Sequence, residues 1–184
     1  MSPLQCLAFC AASAALACVS RHALRRPRSH GFYRFIAFEA IAALVILNFP
    51  VWTTDPLSPH QLVSWPLLAV SLGLVLHGLH LLKTLGRPTA ARTDAELFGF
   101  EKTSTLVTRG AFQYIRHPMY ASLVFLAWGA FAKDVSWAGL ALASLASVAL
   151  LLTALRDEAE CLAHFGAAYA QYMHTTKRFV PFVF

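Results

Sequence analysis

The sequence predicts an all-α, polytopic integral membrane protein with about five transmembrane helices, and three observations carry that expectation. Of the 184 residues, 58% are hydrophobic and only 13% charged, where soluble domains run roughly 45–50% apolar and about 25% charged. Mean hydropathy is +0.57. The apolar residues form long continuous runs, unlike the short alternating strands of a membrane β-barrel. In hydrocarbon every backbone N–H and C=O must be paired within its own segment, which leaves helices. The apolar excess excludes a disordered chain, and the length excludes a multidomain soluble enzyme.

A spanning helix takes about 20 mostly apolar residues. Five segments are candidates: 4–19, 35–52, 65–82, 119–132 and 135–155. The first is short, with Ser2 placed to cap it and Pro3 at its first helical position. It reads as a retained helix and not a cleaved signal, because its basic residues follow the apolar run instead of preceding it. Lys133 and Asp134 alone separate the last two segments, which marks a tight helical hairpin. The fourth segment is shorter than a full span, so Lys133 is expected to snorkel or the bilayer to thin there.

Charge sets the expected orientation. Arg21, Arg25, Arg26, Arg28 and Arg34 follow the first segment. Lys83, Arg87, Arg92, Lys102, Arg109 and Arg116 lie between the third and fourth, and Arg156, Lys177 and Arg178 follow the fifth. Of the 15 Lys and Arg, only Lys133 falls on the other side. The positive-inside rule then places the N-terminus outside and the C-terminus in the cytoplasm. Topology and anionic lipid headgroups account for the net charge of +6, so no nucleic-acid partner is expected.

The isolated polar residues of the apolar segments read more plainly. Cys6, Cys10 and Cys18 lie in the first segment and Cys161 near the C-terminal end. Cys6 and Cys10 share a helix face without His or carboxylate neighbours, a poor metal site, and the cysteines are expected to be small buried side chains. His77 and His80 are expected to anchor the third segment at the interface or to bond a neighbouring helix, with haem or metal ligation as the alternative. Glu39 lies roughly 7 Å beyond Arg34 along its helix. It reads equally as a functional intramembrane carboxylate or as a partner of Arg34 or of another helix. Asn48 and Pro50 shape the outer end of the second segment. Gly73 and Gly78 mark close helix packing.

Polar chemistry concentrates in residues 86–118 and 156–184. The first stretch is long for a mere connection and ends Gly110-Ala111-Phe112-Gln113-Tyr114-Ile115-Arg116-His117-Pro118-Met119-Tyr120. Pro118 drives His117 out of helical geometry and suits the opening of a helix. The N–H groups of that helix start, with Arg116, would favour an anionic group. The second stretch carries Asp157-Glu158, then Phe165-Gly166, Tyr169, Tyr172 and Arg178-Phe179-Val180-Pro181. Glu158, Leu162 and Phe165 share a helical face, Gly166 is a natural stop, and Tyr169 and Tyr172 share a face beyond it. Taken alone, each stretch also fits an interfacial anchor and a solvated amphipathic tail.

Together the two stretches resemble the isoprenylcysteine carboxyl methyltransferases and the related phospholipid methyltransferases. The resemblance rests on Gly110, Phe112, Tyr114, Arg116-His117-Pro118 and Tyr120, continued by Asp157-Glu158, Phe165-Gly166, Tyr169, Tyr172, Arg178-Phe179 and Pro181, roughly the last 80 residues. It departs from the family at Asp157, where glutamate is usual, and at Phe112, where tyrosine is. It implies an integral membrane enzyme that transfers a methyl group from S-adenosylmethionine to a lipophilic acceptor, such as a prenylated cysteine carboxylate or a phospholipid amine. Residues 87–184 would then form the cofactor and catalytic region, as one structural unit with a three-helix membrane region, 1–86.

The resemblance carries over His117, Pro118, Tyr120, Glu158, Tyr169 and Arg178 by position; with Tyr114, Arg116 and Tyr172, whose chemistry suits the donor, all of these but Arg178 are the expected cofactor-binding residues. Tyrosine faces would hold the sulfonium by cation–π attraction of about 0.5–2 kcal/mol each. Glu158 would take the ammonium, and Arg116 or the helix start the carboxylate. Arg156, Glu158 and Arg178 are the expected catalytic residues. An arginine would orient an acceptor carboxylate, whereas an acceptor amine needs a base such as His117 or Glu158. No metal is expected on this reading. The rival expectations are a sterol-type membrane reductase using NADPH, and a non-enzymatic haem or metal carrier built on His77, His80 and His117.

Overall fold

The structure, a computed structural model, describes residues 2–89 and 97–183; Arg92, counted above toward orientation, lies outside them. Among the described residues the chain forms seven α-helices and no strand: α1 (Pro3–Val19), α2 (Arg21–Leu24), α3 (His30–Asn48), α4 (Pro59–Thr84), α5 (Pro118–Phe131), α6 (Trp137–Phe165) and α7 (Ala167–Thr175). The all-helical class is the one the sequence predicts. The helices α3, with its continuation to Val51, α4 and α6 are long and apolar enough to cross a membrane, while α1 and α5 are shorter apolar helices.

Local sequence sets the helix ends. The Ser2 hydroxyl accepts from the Gln5 N–H at 3.3 Å and the Gln5 side chain accepts from the Ser2 N–H at 2.6 Å, a capping box before Pro3. Pro118 opens α5. Gly166, at φ +59°, ends α6 in a left-handed conformation that costs glycine little.

Small residues bring α3, α5 and α6 close together. Buried positions of α3 (Ala37, Ala40, Ile41, Leu44) recur at three- and four-residue steps, as do Ala143, Ala146, Ala149, Leu150 and Ala154 of α6. With Ala127 and Ala130 of α5 they make an alanine-rich core, the packing expected where lipid offers no hydrophobic drive between helices. Side-chain amides and hydroxyls join the helices: Asn48 Nδ2 donates to the Ala130 carbonyl at 2.8 Å, and Ser64 Oγ to the Gly129 carbonyl at 2.7 Å.

Several expectations are corrected. Lys133 does not snorkel. It is 1% exposed, donates to Gln61 Oε1 at 2.7 Å and sits 3.2 Å over the Trp65 ring, because the connection after α5 folds in against α4. Cys6, Cys10 and Cys18 are exposed, since α1 buries no residue of its own. A Cβ on Gly78 would stand 2.9 Å from Met119 Cγ, a close approach, but one on Gly73 would meet nothing within 4 Å. Glu39 accepts from Ser13 of α1, and Arg34 pairs elsewhere. The fifth segment does not stop at 155: α6 runs 29 residues to Phe165, about 43 Å at 1.5 Å per residue, and carries the acidic pair on a rigid extension.

Candidate active site

The site forms where the start of α5, the far end of α6 and α7 converge. Gly110 has φ +61°, and a Cβ there would stand 2.5 Å from His77 Nε2, so this turn needs glycine to lie against α4. The Ala111 N–H donates to His77 Nε2 at 3.3 Å and fixes the turn further. The chain then runs alongside the tail. The Arg116 N–H donates to the Lys177 carbonyl at 2.8 Å, the Lys177 N–H to the Tyr114 carbonyl at 3.1 Å, and the His117 N–H to the Arg178 carbonyl at 3.2 Å. Three backbone groups of each irregular segment are thereby satisfied, and the tail is held against the helix start.

Glu158, 4% exposed, is the hub of the charged cluster. Arg178 grips it with two hydrogen bonds, Nε to Oε1 at 3.0 Å and Nη2 to Oε2 at 2.8 Å. Arg116 Nε donates to Oε1 at 2.9 Å, and His117 Nε2 lies 3.3 Å from the same oxygen. Arg116 also donates to the carbonyls of Met173 and Thr176, so its guanidinium ties α6, α7 and the tail together. A buried carboxylate with this many charged donors is held in one geometry.

Asp157, one residue earlier and so about 100° around the helix, faces the other way. Tyr120 donates to Asp157 Oδ2 at 3.1 Å, and His117 Nδ1 lies 3.5 Å from the same oxygen. The His117 and Tyr120 rings stack at 5.2 Å. Burial alone would lower the His117 pKa, but its hydrogen bonds to Asp157 and Glu158 outweigh that and hold it above the ordinary histidine value.

Between these groups lies a cavity of about 110 Å³, lined by Glu101, Phe112, Arg116, His117, Tyr120, Asp157, Cys161, Phe165, Tyr169 and Tyr172, among others. One water needs only about 10–15 Å³ by this measure, so the space is larger than a packing defect. Tyr169 and Tyr172 are buried with their rings 5.8 Å apart, edge to face. The Tyr172 hydroxyl donates to the Phe112 carbonyl at 2.6 Å. Burial pushes both phenols well above their ordinary range, so they stay neutral.

The expected site residues divide by position. Arg116, His117, Pro118, Tyr120, Tyr169 and Tyr172 line the cavity. Glu158 and Arg178, bonded to each other, are not among the lining residues. Tyr114 is 48% exposed and packs its ring on Phe182, and Arg156 is exposed; neither is among the lining residues. His77 supports the Gly110 turn from outside the cavity, and His80 is exposed.

Three residues that sequence reasoning missed belong to this region. Glu101 lines the cavity from a turn (Gly99–Glu101), where Arg34 of α3 grips it at 2.6 and 2.8 Å while Phe98 stacks 4.0 Å from the Arg34 guanidinium. His30, fully buried at the start of α3, has Nδ1 2.5 Å from Glu160 of α6. Ligand atoms of His30, Asp157 and Glu160 all lie within 4.8 Å of one another. Glu101 and Arg34 are 67 residues apart, and His30 and Glu160 are 130 apart, so no local spacing reveals either pair. In the sequence Arg34 stands with the basic residues before the second apolar segment, where its charge speaks for orientation and not for a partner.

A family model for phospholipid methyltransferases matches residues 62–171, from α4 into α7. No curated protein and no solved structure matches the chain.

Proposed function

The chain belongs to the phospholipid methyltransferase family, is a membrane protein and a methyltransferase, and on that premise we propose that it transfers a methyl group from S-adenosylmethionine to the amine headgroup of a membrane lipid. The observation that carries the reading is the cavity itself. It sets two carboxylates, Asp157 and Glu101, beside a group of aromatic rings, next to the first turn of α5.

Those residues fit the donor. Asp157 or Glu101 would hold its ammonium, the first-turn N–H groups of α5 its carboxylate, and the faces of Tyr120, Tyr169 and Tyr172 its sulfonium. When bound, S-adenosylmethionine supplies an electrophilic methyl carbon on a positively charged sulfur. The protein's part is to align the acceptor with that carbon and to exclude water. Buried phenols that stay neutral leave ring faces for a cation and add no competing charge. Glu158 and Arg178 act as positioning residues on this reading, since each is spent on the other and on the helix start that it fixes.

The acceptor follows from the charge balance. Arg116, which lines the cavity, is engaged by Glu158 and two carbonyls, and Glu101 by Arg34, which leaves Asp157, bonded to the neutral Tyr120 hydroxyl and beside His117, as the carboxylate turned to the cavity. That arrangement suits an amine better than a carboxylate. His117 and Asp157 are placed to hold a proton beside the acceptor. Arg156, exposed where α6 leaves its apolar run, is proposed to meet a headgroup phosphate. The excess of Lys and Arg at this end supports a multi-pass arrangement with this site and the C-terminus in the cytoplasm and the N-terminus outside.

The test uses purified full-length protein in phosphatidylethanolamine vesicles with methyl-labelled S-adenosylmethionine. Label is expected in the organic-extractable lipid, on nitrogen by mass spectrometry. Arg156→Ala is expected to spare donor binding and lower turnover. No labelled lipid would overturn the proposed reaction, and label on a carboxylate would overturn the choice of acceptor.

A further inference from the structure

An amine that accepts a methyl group starts as an ammonium and must lose a proton, and the cavity is walled by buried groups. Asp157 sits at the junction between that cavity and a second titratable cluster behind it. On the cavity side it accepts from Tyr120 and neighbours His117. Behind it lies His30, on α3. The His30 ring is fully buried, its Nδ1 is 2.5 Å from Glu160 Oε2, and its backbone N–H donates to Glu160 Oε1 at 3.0 Å. The other ring nitrogen, Nε2, is buried with no hydrogen-bond partner. The Glu160 side chain is 38% exposed.

Resting on the methyltransfer reading above, we propose that Asp157, His30 and Glu160 form a proton relay that carries the acceptor's proton from the cavity wall to the protein surface. Glu160 selects the tautomer: a carboxylate facing Nδ1 keeps the proton there and leaves the Nε2 lone pair open. An Asp157 oxygen and one ring nitrogen of His30 lie within 4.8 Å of each other, and the relay takes one bridging water or a small side-chain rotation to join Asp157 to Nε2. In the step, the acceptor's N–H bond breaks and its electron pair stays on nitrogen. The proton passes to the Asp157 carboxylate and on to His30 Nε2, while the Nδ1 proton passes to Glu160 and from there to water. Reorientation of the ring restores the starting tautomer.

The same three residues are poorly arranged for a metal. Tetrahedral ligands about 2.1 Å from an ion stand roughly 3.4 Å apart, and His30 Nδ1 and Glu160 are closer than that. Glu160, Asp157 and Arg34 are the charged groups that face His30 from α6 and from its own helix. Arg34 is itself neutralised by Glu101.

The experiment compares wild type, His30→Gln and Glu160→Gln as full-length proteins in phosphatidylethanolamine vesicles. It measures methyl transfer from labelled S-adenosylmethionine between pH 6 and 9, with donor binding measured by calorimetry. Both variants are expected to lose at least ten-fold in rate at pH 7, to regain rate as pH or buffer concentration rises, and to bind donor within two-fold of wild type. Added imidazole is expected to restore part of the rate to His30→Ala. Glu160, half-exposed, keeps the test informative if a His30 variant does not fold. An active wild type whose pH profile the variants share would overturn the relay alone, as would a loss of rate that tracks a loss of donor binding. A wild type that labels no lipid would overturn the methyltransfer reading and the relay with it.

Discussion

At the scale of single residues, the neighbours Asp157 and Glu158 do different work because a helix turns about 100° per residue. Glu158 faces Arg116, Arg178 and His117, and Asp157 faces Tyr120 and the cavity. Removing one partner of a buried ion cluster leaves the others uncompensated, so Glu158→Ala is expected to destabilise the protein by about 3–5 kcal/mol. Thermal unfolding in detergent checks this, and Asp157→Asn should cost much less. The sequence drew attention to the pair but assigned the ammonium to Glu158; only the orientation of α6 relative to the tail separates their roles. His117 gives a pH signature. Its folded pKa stands above the ordinary histidine value, so its contribution is complete below about pH 6.5 and is lost as pH rises through the folded value. The melting temperature of wild type should therefore fall over that rise more steeply than that of His117→Gln. Parallel slopes would show that His117 is not held by its two carboxylates.

At the scale of helices, much was legible. Runs of apolar residues, Ser2-Pro3, Pro118 and Gly166 each act through local backbone physics, and the structure places helix ends at all of them. What a helix packs against was less legible, because glycine has one spelling for two situations. A Cβ at Gly129 would meet Leu68 Cδ2 at 2.9 Å and Leu67 Cβ at 3.3 Å where α4 crosses α5, whereas Gly73 has open space. Gly129→Ala is expected to lower the melting temperature. Gly73→Ala should leave it unchanged or raise it, by up to about 1 kcal/mol of helix propensity. The opposite order would mean that α4 packs through another face.

At the scale of the whole molecule, the first three apolar segments carried no functional signature, yet α3 reaches the site twice, through Arg34 on Glu101 and through His30 on Glu160. Neither contact was readable, since each depends on which helices the bundle makes neighbours. The Arg34–Glu101 pair holds the described part of the loop before α5 over the cavity. Arg34→Gln should therefore speed tryptic cleavage after Lys102 several-fold and weaken donor binding together, and cleavage unchanged from wild type would remove the clasp. The central claim is that this one cavity receives a sulfonium donor, and equilibrium binding of S-adenosylmethionine to the purified protein tests it most directly. Saturable binding is expected, weakened ten-fold or more, about 1.4 kcal/mol, by Asp157→Asn and unaffected by Arg156→Ala. Absence of binding, or equal affinity in wild type and Asp157→Asn, would contradict it.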